Sequence, residues 1–434
     1  MRQYGSGRRA ALSWVRQLWR DARLAPLLLL ACLLSLSSCG NALRPASLRA
    51  SATPTLNATP GVPAASSLRW SAAQTPTASS VTLSVAQSDS ATAYACAPTN
   101  TTQTAAMRIW VTRDRGANWT AATSIALGGG GAVQITDCQI IVDSARADVA
   151  IARIGYLPKG CGPGTECGGD LVYLTDDLGQ HWTSVKSPVV KLPVSAQQYG
   201  LVTLEAPFAF ATYQGVAYAL YGSIPRSFSP GYEVLLESRD NLRTWSLVLG
   251  ISALTISDFW LNPTNGALLV QSGYMLGTIE GFEASTDGGA YWSVVGAAPF
   301  LFTVAVAQQP FTNQPWRICG RDPWPTTING VTPNPNRDML ACTADGGAHW
   351  QVWHITAPYT LIGIADDGSA LLATTSSIER AVIGVSDLQS LGAAPGDSQT
   401  FSYAADAGVG TLWAQRQPNS SSSPQNALLT TQYA

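Results

Sequence analysis

Short apolar runs follow one another along most of this chain. From about residue 66 onward, Val, Ile, Leu, Tyr and Thr alternate with polar residues, and Gly, Asp, Asn and Pro separate the runs. Residues 107–111 (Met-Arg-Ile-Trp-Val) and 171–174 (Leu-Val-Tyr-Leu) are typical examples. Alternation with a period of two, interrupted by turn-forming residues, is the signature of β-strands. Convincing long helices are absent from the pattern, which therefore predicts an all-β domain.

One short phrase is repeated five times within this pattern. It consists of a hydroxyl residue, any residue, an aspartate, usually a glycine two positions on, and a tryptophan five positions after the aspartate. The copies occupy residues 112–119, 175–182, 238–245, 285–292 and 343–350, and their aspartates lie 63, 63, 47 and 58 residues apart. Such spacing is typical of a repeated supersecondary unit rather than of a catalytic motif. In the third copy, Leu242 stands where the others have glycine.

Each residue type of the phrase suits a tight turn between two strands. The carboxylate and the hydroxyl accept hydrogen bonds from backbone N–H groups, glycine adopts a positive φ, and the tryptophan buries a large apolar surface as the next strand begins. Metal binding or acid catalysis is the functional alternative, but a repeat architecture needs one braced turn per repeat. We therefore interpret the turn residues as structural: Asp114, Trp119, Asp177, Trp182, Asp240, Trp245, Asp287, Trp292, Asp345 and Trp350.

The phrase resembles the Asp-box, or BNR repeat, of sialidase-like, sortilin-like and photosystem II assembly-factor propellers. This resemblance covers most of the chain after about residue 66 and implies a single β-propeller. If each Asp-box joins the third and fourth strands of a blade, five blades begin near Val81, Ala132, Leu201, Leu254 and Leu301. Two further units without the phrase begin near Thr360 and Thr400. The expected number of four-stranded blades is therefore seven, or six if these two units form one irregular blade.

The two ends of this region suggest how the ring closes. Residues 427–431 resemble a third strand with no fourth strand after it, and residues 67–70 resemble a fourth strand with no blade before it. Trp70 then occupies the place of an Asp-box tryptophan. Because pairing the two segments removes the exposed strand edges of an open array, we expect the N- and C-terminal strands to share the last blade.

The first 66 residues differ in composition from the rest. Residues 1–38 combine six arginines with an apolar run at 24–36 that is too short for a comfortable membrane span, as in an export signal. The run ends in Leu-Ser-Ser-Cys, which resembles the bacterial lipobox and implies a lipid anchor on Cys39. An ordinary signal peptide or a retained signal anchor is the alternative. Residues 39–66, rich in Ala, Ser, Thr and Pro, are expected to be a tether, and residues 67–434 the propeller.

Net charge bears on the class of partner, and cysteine content bears on the cellular compartment. Without residues 1–38, 19 of the 25 basic and 26 of the 27 acidic residues remain, a net charge of −7 that argues against nucleic acid. Beyond Cys32 and Cys39, six cysteines remain, and this even number in an exported chain suggests disulfides on the extracytoplasmic side. Sequence alone allows fifteen pairings. The propeller repeat favours Cys161 with Cys167 in one loop, Cys319 with Cys342 in one blade, and Cys96 with Cys138 between adjacent blades.

The connections between second and third strands are the expected binding region, because in related propellers they open away from the Asp-box turns. Two pairs there suit an anion or a sugar: Arg226 with Tyr232, and Arg321 with Trp324. The resemblance to sialidases would also imply three carboxylate-clamping arginines, a tyrosine–glutamate pair, an aspartate acid/base and an Arg-Ile-Pro phrase. This chain has no Arg-Ile-Pro, so no catalytic residue is assigned.

These features favour a membrane-tethered propeller that binds a protein or glycan without catalysing a reaction. No cofactor is expected, and three histidines without a Cys-x-x-Cys pair argue against a zinc site. Two alternatives remain open: a sialidase-type glycoside hydrolase, and an assembly or stability factor for a membrane complex.

Overall fold

The computed structural model describes most of the chain beyond residue 67. The described residues are 68–73, 76, 81–101, 104–129, 133–161, 168–195, 198–204, 206–222, 233–249, 254–274, 281–295, 303–307, 316–322, 338–355, 358–365, 367–395, 398–406, 409–416 and 428–433. They belong to one compact unit, Pro63–Ala434. The expected export signal, Cys39 and the tether lie outside the described residues. Within the described part of the chain, no helix is long and apolar enough to cross a membrane.

Seven antiparallel sheets of four strands each form a ring, so the prediction of a seven-bladed all-β propeller is confirmed. The first strand of the chain, β1 (Ser71–Ala73), belongs to the last blade. Blade 1 contains β2 (Thr82–Val85), β3 (Ala93–Asn100), β4 (Thr104–Thr112) and β5 (Thr120–Gly129). Blade 2 contains β6 (Val133–Val142), β7 (Ala150–Pro158), β8 (Gly169–Thr175) and β9 (Thr183–Val185). A separate two-stranded hairpin follows, with β10 (Val189–Ser195) and β11 (Gln198–Thr203).

The remaining blades follow in chain order. Blade 3 contains β12 (Pro207–Tyr213), β13 (Val216–Gly222), β14 (Glu233–Ser238) and β15 (Ser246–Leu249). Blade 4 contains β16 (Leu254–Leu261), β17 (Leu268–Tyr274), β18 (Gly281–Ser285) and β19 (Ser293–Val294). Blade 5 contains β20 (Thr303–Val306), β21 (Ile318–Asp322), β22 (Asp338–Thr343) and β23 (Gln351–Ile355). Blade 6 contains β24 (Tyr359–Ile364), β25 (Ala370–Thr374), β26 (Ser377–Ala381) and β27 (Gln389–Ala393), and blade 7 combines β1 with β28 (Ser398–Asp406), β29 (Val409–Arg416) and β30 (Leu428–Tyr433).

The ring closes in blade 7, where strands from the two ends of the chain pair as expected. β1 lies antiparallel to β30, with Ser71 opposite Thr430 and Ala73 opposite Leu428. The closing strand is residues 71–73, however, and not the predicted residues 67–70. The Leu68 N–H donates to the Leu391 carbonyl at 3.0 Å, so the chain first crosses the outer strand of blade 6 and enters the sheet only after Trp70.

The predicted start of the third blade was also wrong. Residues 189–203, which include Leu201, pair with each other in the β10–β11 hairpin, with Val189 opposite Thr203. Blade 3 begins later, at Pro207. Alternation of apolar and polar residues is equally satisfied by either partner strand, which is why the sequence did not separate the hairpin from the blade. The other predicted blade starts agree with the structure within two residues.

Middle strands of the blades are buried on both faces. In β13, residues 217–221 are all buried, and in β25 so are residues 370–373. Each blade is packed between two neighbouring sheets, so both faces of its middle strands are covered and a continuous apolar run replaces strict alternation. The outermost strands β9 and β19 are mostly exposed. The core therefore consists of apolar layers between successive blades.

The turn tryptophans belong to these layers. Each directly precedes the fourth strand of its blade and packs between that blade and the preceding one. Trp182, for example, lies against a cluster that contains Ile109 of blade 1 and Ile154 of blade 2. Trp70 does the same between blades 6 and 7. In blade 6, which lacks the repeated phrase, Leu388 takes this place.

Two disulfides join pairs of described cysteines, and both have the pairing expected from the repeat. Cys96–Cys138 joins blades 1 and 2, and Cys319–Cys342 joins the adjacent strands β21 and β22 of blade 5. Cys161 is disulfide-bonded too, and Cys167, with which it was expected to pair, lies outside the described residues. Disulfides of this kind indicate an oxidising, extracytoplasmic environment.

Candidate functional site

Strand direction divides the ring into two faces. Because successive strands of a blade run antiparallel, the connections between strands 1 and 2 and between strands 3 and 4 lie at one end of the blade, which we call the turn face. Connections between strands 2 and 3, and those leading to the next blade, lie at the opposite end, which we call the loop face. The repeated phrases join third to fourth strands in five blades, so all five lie on the turn face. We call them the aspartate turns.

Hydrogen bonds within the aspartate turns follow one scheme. In the first turn, the Thr112 hydroxyl donates to Asp114 Oδ1 at 2.8 Å and accepts the Gly116 N–H at 2.9 Å. Asp114 Oδ1 also accepts the Asn118 N–H at 2.8 Å, and Asp114 Oδ2 accepts the Asn118 side-chain amide at 2.7 Å. The other four turns repeat three of these bonds. The hydroxyl donates to the aspartate, a backbone N–H four residues after the hydroxyl residue donates to the hydroxyl, and a backbone N–H four residues after the aspartate donates to the carboxylate. Their carboxylates are thus engaged in holding the turn.

This bonding stabilises the ionised form of the turn carboxylates. A hydrogen bond from the Thr244 hydroxyl, joined by bonds from the Thr244 N–H and the Ser238 hydroxyl, lowers the pKa of Asp240 to about 2. Burial alone would raise the pKa of Asp177, but hydrogen bonds from the His181 backbone and ring lower it to about 2. A carboxyl group with such a low pKa holds no proton near neutral pH and is unsuited to acid catalysis.

The third aspartate turn departs from the other four. Leu242 takes the place of glycine with a φ of 64°, and its side chain is 4% exposed in the layer between blades 2 and 3. In three other turns the tryptophan Nε1 donates to the glycine carbonyl, at 3.0 Å for Trp182, 2.9 Å for Trp292 and 3.1 Å for Trp350. Trp245 Nε1 is buried and makes no such bond among the described residues.

The structure places one of the four predicted binding residues. Arg321 lies on β21 at its loop-face end, and its Cζ atom is 4.9 Å from the centre of the Tyr359 ring, on the first strand of blade 6. Tyr359 is buried and donates its hydroxyl to the Met339 carbonyl at 2.8 Å. A guanidinium over an aromatic face is a favourable cation–π arrangement. Arg226, Tyr232 and Trp324 lie outside the described residues.

A cavity in the ring carries a carboxyl group that the sequence did not single out. Its volume is about 290 Å³, and the first strands of blades 1 to 4 line it, with Asp258 among the lining residues. Burial raises the pKa of Asp258 to about 6, and a hydrogen bond from the Phe259 N–H at 2.8 Å opposes that shift. No second Asp or Glu is among the described residues that line this cavity. Glycoside hydrolysis ordinarily uses a pair of carboxyl groups, and Asp258 is the one that the described lining residues supply.

A second set of turns on the turn face also escaped sequence reasoning. Asp89, Asp143, Asn262 and Asp367 each accept the N–H two residues ahead, at 2.8–2.9 Å, between the first and second strands of their blades. The exception is Asp367, because Asp-Asp-Gly-Ser at residues 366–369 is a sequence typical of a hairpin turn. The sequence signal was present as Asp or Asn two residues before the receiving N–H, but it lacks a tryptophan and is common in ordinary loops. Among the described residues, no group of three or more His, Cys, Asp or Glu could hold a metal ion.

Comparison with known proteins gives similarity in structure only. No protein-family model and no curated protein matches the chain. A Dyadobacter fermentans protein of unknown function matches at 11% identity and a TM-score of 0.44, over 81% of this chain and 94% of its own. The Hadza microbial sialidase Hz136 matches at 12% identity and a TM-score of 0.43, over 80% of this chain and 64% of its own. The GH74 xyloglucanase from Xanthomonas campestris matches at 17% identity and a TM-score of 0.42, over 77% of this chain and 50% of its own.

These similarities concern the fold. At such identities and TM-scores, no activity or residue role passes from those proteins to this chain. The function has to be inferred from the chain's own faces, cavities and side chains.

Proposed function

We propose that this protein is an extracytoplasmic Asp-box propeller, anchored in a membrane through a lipid on Cys39, that binds a protein or glycan ligand with its loop face and does not catalyse a reaction. The disulfides support the extracytoplasmic location. The lipobox-like end of the export signal supports the anchor. The choice of the loop face rests on a difference between the two faces of the ring.

Connection length is the observation that carries the choice of face. On the turn face, six third-to-fourth connections (113–119, 176–182, 239–245, 286–292, 344–350 and 382–388) are all seven residues long, and the seven first-to-second connections range from two to eleven residues, with one (307–317) longer than seven. On the loop face, the second-to-third connections span residues 101–103, 159–168, 223–232, 275–280, 323–337, 375–376 and 417–427, from two to fifteen residues. Four of the seven second-to-third connections are thus longer than seven residues, against one of these thirteen turn-face connections, and long loops on a rigid scaffold are where binding residues concentrate.

Two of the long second-to-third connections carry predicted binding residues. Residues 223–232 include Arg226 and Tyr232, and residues 323–337 include Trp324. Arg321 lies two residues before the second of these connections, and its guanidinium is held over the Tyr359 ring. Aromatic and guanidinium groups of this kind are enriched at the energetic centres of interfaces, which supports a recognition role.

The test is a glycan array and a membrane-protein pull-down with the full-length chain in detergent. The ligand found is then titrated against Arg226→Ala and Trp324→Ala, with Tyr291→Ala as the matched control, because Tyr291 is an aromatic residue that is 81% exposed on the turn face. We expect each loop-face substitution to weaken binding at least about tenfold, equivalent to about 1.4 kcal/mol, and the control to leave binding unchanged. Weakening by Tyr291→Ala alone would place the ligand on the other face.

A sialidase-type hydrolase is the second candidate, and Asp258 is the observation in its favour. A carboxyl group with a pKa of about 6 is suited to donate a proton at mildly acidic pH. The discriminating measurement is the release of fluorophore from aryl sialosides and other aryl glycosides by the full-length chain. Turnover that Asp258→Asn or Arg321→Ala abolishes would replace the binding proposal by the hydrolase. Recovery of an intact membrane complex in the pull-down would instead favour an assembly factor.

A further inference from the structure

The turn face holds a pocket that the proposed function does not use. It has a volume of about 570 Å³ and lies where blades 2, 3 and 4 meet. The first-to-second connections of all three blades and the aspartate turns of blades 2 and 3 line it. Its volume is within the usual range of small-molecule sites, about 300–1,000 Å³. The loop face is at the other end of these blades, so any ligand here is bound at a separate site.

The rim of this turn-face pocket is polar and exposed. Arg146, Asp176, Gln214 and Asn241 contribute a guanidinium, a carboxylate and two carboxamides. This set contains both donors and acceptors, and each amide offers both at once. The floor is apolar and buried, with Val149, Phe210 and Leu242 among its residues. A wet rim over an apolar floor fits a ligand that is polar at its edges and apolar on one side.

Charge at the rim disfavours an anionic ligand. The Arg146 guanidinium is already bound by both oxygens of Asp148, with Nε to Oδ1 at 3.2 Å and Nη2 to Oδ2 at 2.7 Å. The positive charge of Arg146 is thus matched within the protein, and Asp176 adds a negative charge at the rim. A neutral ligand rich in hydroxyl groups avoids the repulsion and the desolvation that an added anion would meet.

One aromatic side chain of the pocket is held firmly in place. The Tyr213 ring lies so close to Gly266 that a Cβ atom on that glycine would be 2.4 Å from Tyr213 Cε1. The Tyr213 hydroxyl donates to the Thr264 carbonyl at 3.3 Å and accepts the Gln214 side-chain amide at 3.0 Å. A fixed aromatic body beside orienting amides is a common way to present an apolar surface at low entropic cost.

Backbone conformation also singles out this pocket. Among the described residues, five that are not glycine have a positive φ, and three of them, Gln214, Asn241 and Leu242, line it. Asn241 shares this conformation with Arg115 and Leu178 at the same position of their aspartate turns, so Gln214 and Leu242 are the two that are particular to the pocket. At these three positions glycine would fit the backbone without strain. Side chains are kept there nonetheless, and strain of this type concentrates at ligand sites. The departure of the third aspartate turn from the repeat therefore contributes to the pocket.

We propose that the turn-face pocket binds a neutral mono- or disaccharide. Hydroxyl groups on the edge of a pyranose ring pair with the amides of Gln214 and Asn241 and with the rim charges, and the C–H face of the ring packs on Tyr213 and the apolar floor. The proposal does not depend on what the loop face binds.

The test uses the full-length chain in detergent and the sugars D-glucose, D-galactose, N-acetyl-D-glucosamine and cellobiose, with D-glucuronate as the anionic comparison. Saturation-transfer NMR detects binding, and titration gives the dissociation constants. Asn241→Gly and Gln214→Gly each remove an amide at a positive φ that glycine tolerates, so the fold is preserved. We expect at least one neutral sugar to bind, and each substitution to weaken it at least tenfold with no loss of thermal stability.

Controls separate this site from the loop face. Tyr291→Ala changes an exposed aromatic residue on the same face but outside the pocket and should not alter sugar binding, whereas Trp324→Ala reports whether the sugar is bound at the loop face instead. The proposal is overturned if no sugar of the panel binds, if glucuronate binds more tightly than the neutral sugars, or if Trp324→Ala abolishes binding while Asn241→Gly leaves it intact.

Discussion

At the scale of single residues, the glycine of the aspartate turn is constrained by its neighbour as well as by its own backbone. Gly289 has a φ of 95°, and a Cβ atom there would be 2.1 Å from Cγ1 of Val248, on the outer strand of the preceding blade. At Gly179 the corresponding neighbour is Ala122, at 3.3 Å. Glycine in this motif therefore does two things, because it allows the left-handed conformation and lets the preceding blade lie against the turn.

We predict that Gly289→Ala is much more destabilising than a glycine substitution that changes φ alone. Gly384 is the matched control, since its φ is 94° and nothing lies within 4 Å of an added Cβ. Gly384→Ala should cost about 1 kcal/mol for the backbone conformation, and Gly289→Ala about 2–4 kcal/mol because overpacking against Val248 adds to it. Equilibrium urea unfolding of both variants measures the difference, and equal losses would contradict the contact with Val248.

At the scale of elements, hairpins on the turn face carry carboxyl groups with opposite pKa shifts. The aspartate turns hold their carboxylates by several hydrogen bonds, which lowers the pKa of Asp240 to about 2 from its ordinary value of 3.8. In the first-to-second connection of blade 2, burial instead raises the pKa of Asp143 to about 6, against the hydrogen bond that the Thr212 hydroxyl donates to it. One type of turn therefore favours the carboxylate and the other favours the protonated acid.

These shifts predict how the free energy of unfolding changes with pH. Because the folded-state pKa of Asp240 is lowered, its contribution is present above about pH 4 and is lost as the pH falls toward 2. Because the folded-state pKa of Asp143 is raised, the folded state loses stability as the pH rises from about 4 through 6. For these two groups, stability should therefore be greatest near pH 4 and should fall on either side of it.

Two substitutions distinguish the loss of stability at low pH from the loss at higher pH. Asp240→Asn should reduce only the decline below pH 4, to which Asp177 also contributes. Asp143→Asn should reduce only the decline between pH 4 and 7, to which Asp258 also contributes. Urea unfolding between pH 2 and pH 7 measures both effects. If Asp143→Asn left the fall in unfolding free energy between pH 4 and 7 unchanged, the buried Asp143 carboxyl would not contribute to that fall.

At the scale of the whole molecule, stability depends on closing the ring. Three residues of β1 complete blade 7, and Trp70 anchors the segment by donating its Nε1–H to the Ala393 carbonyl at 3.0 Å. Trp70 and Leu68 also fill the apolar layer between blades 6 and 7. Without them, β30 becomes an exposed strand edge and that layer is open to water.

Two shortened chains test the closure. A chain that begins at residue 67 keeps Trp70 and β1, and one that begins at residue 74 lacks both, while the two share every other difference from the full chain. We expect the shorter chain to lose about 3 kcal/mol or more of unfolding free energy, from one partly buried tryptophan, the Leu68 side chain and the strand hydrogen bonds. Thermal unfolding and limited proteolysis report the loss, and identical melting of the two chains would show that β1 does not close the ring.

The aspartate turns were readable from the sequence because their bonds join residues no more than four positions apart. The number of blades, the closing of blade 7 by both chain ends and the pairing Cys96–Cys138 followed from the spacing of that local signal. Arg321 was chosen from its position beside a long connection, but nothing local indicated that Tyr359, in the next blade, lies under it.

The sequence by itself determined what depends on a few neighbouring residues: the turns, the alternating strands and the period of the repeat. Only the tertiary structure decided what depends on contacts between blades. These contacts place Leu242, Gln214 and Arg146 from two blades around one pocket and bury Asp143 and Asp258 enough to raise their pKa values. They also show that residues 189–203 pair with each other. The physical reason is that burial and cross-blade packing join residues far apart in the chain, and no local pattern records which of them will meet.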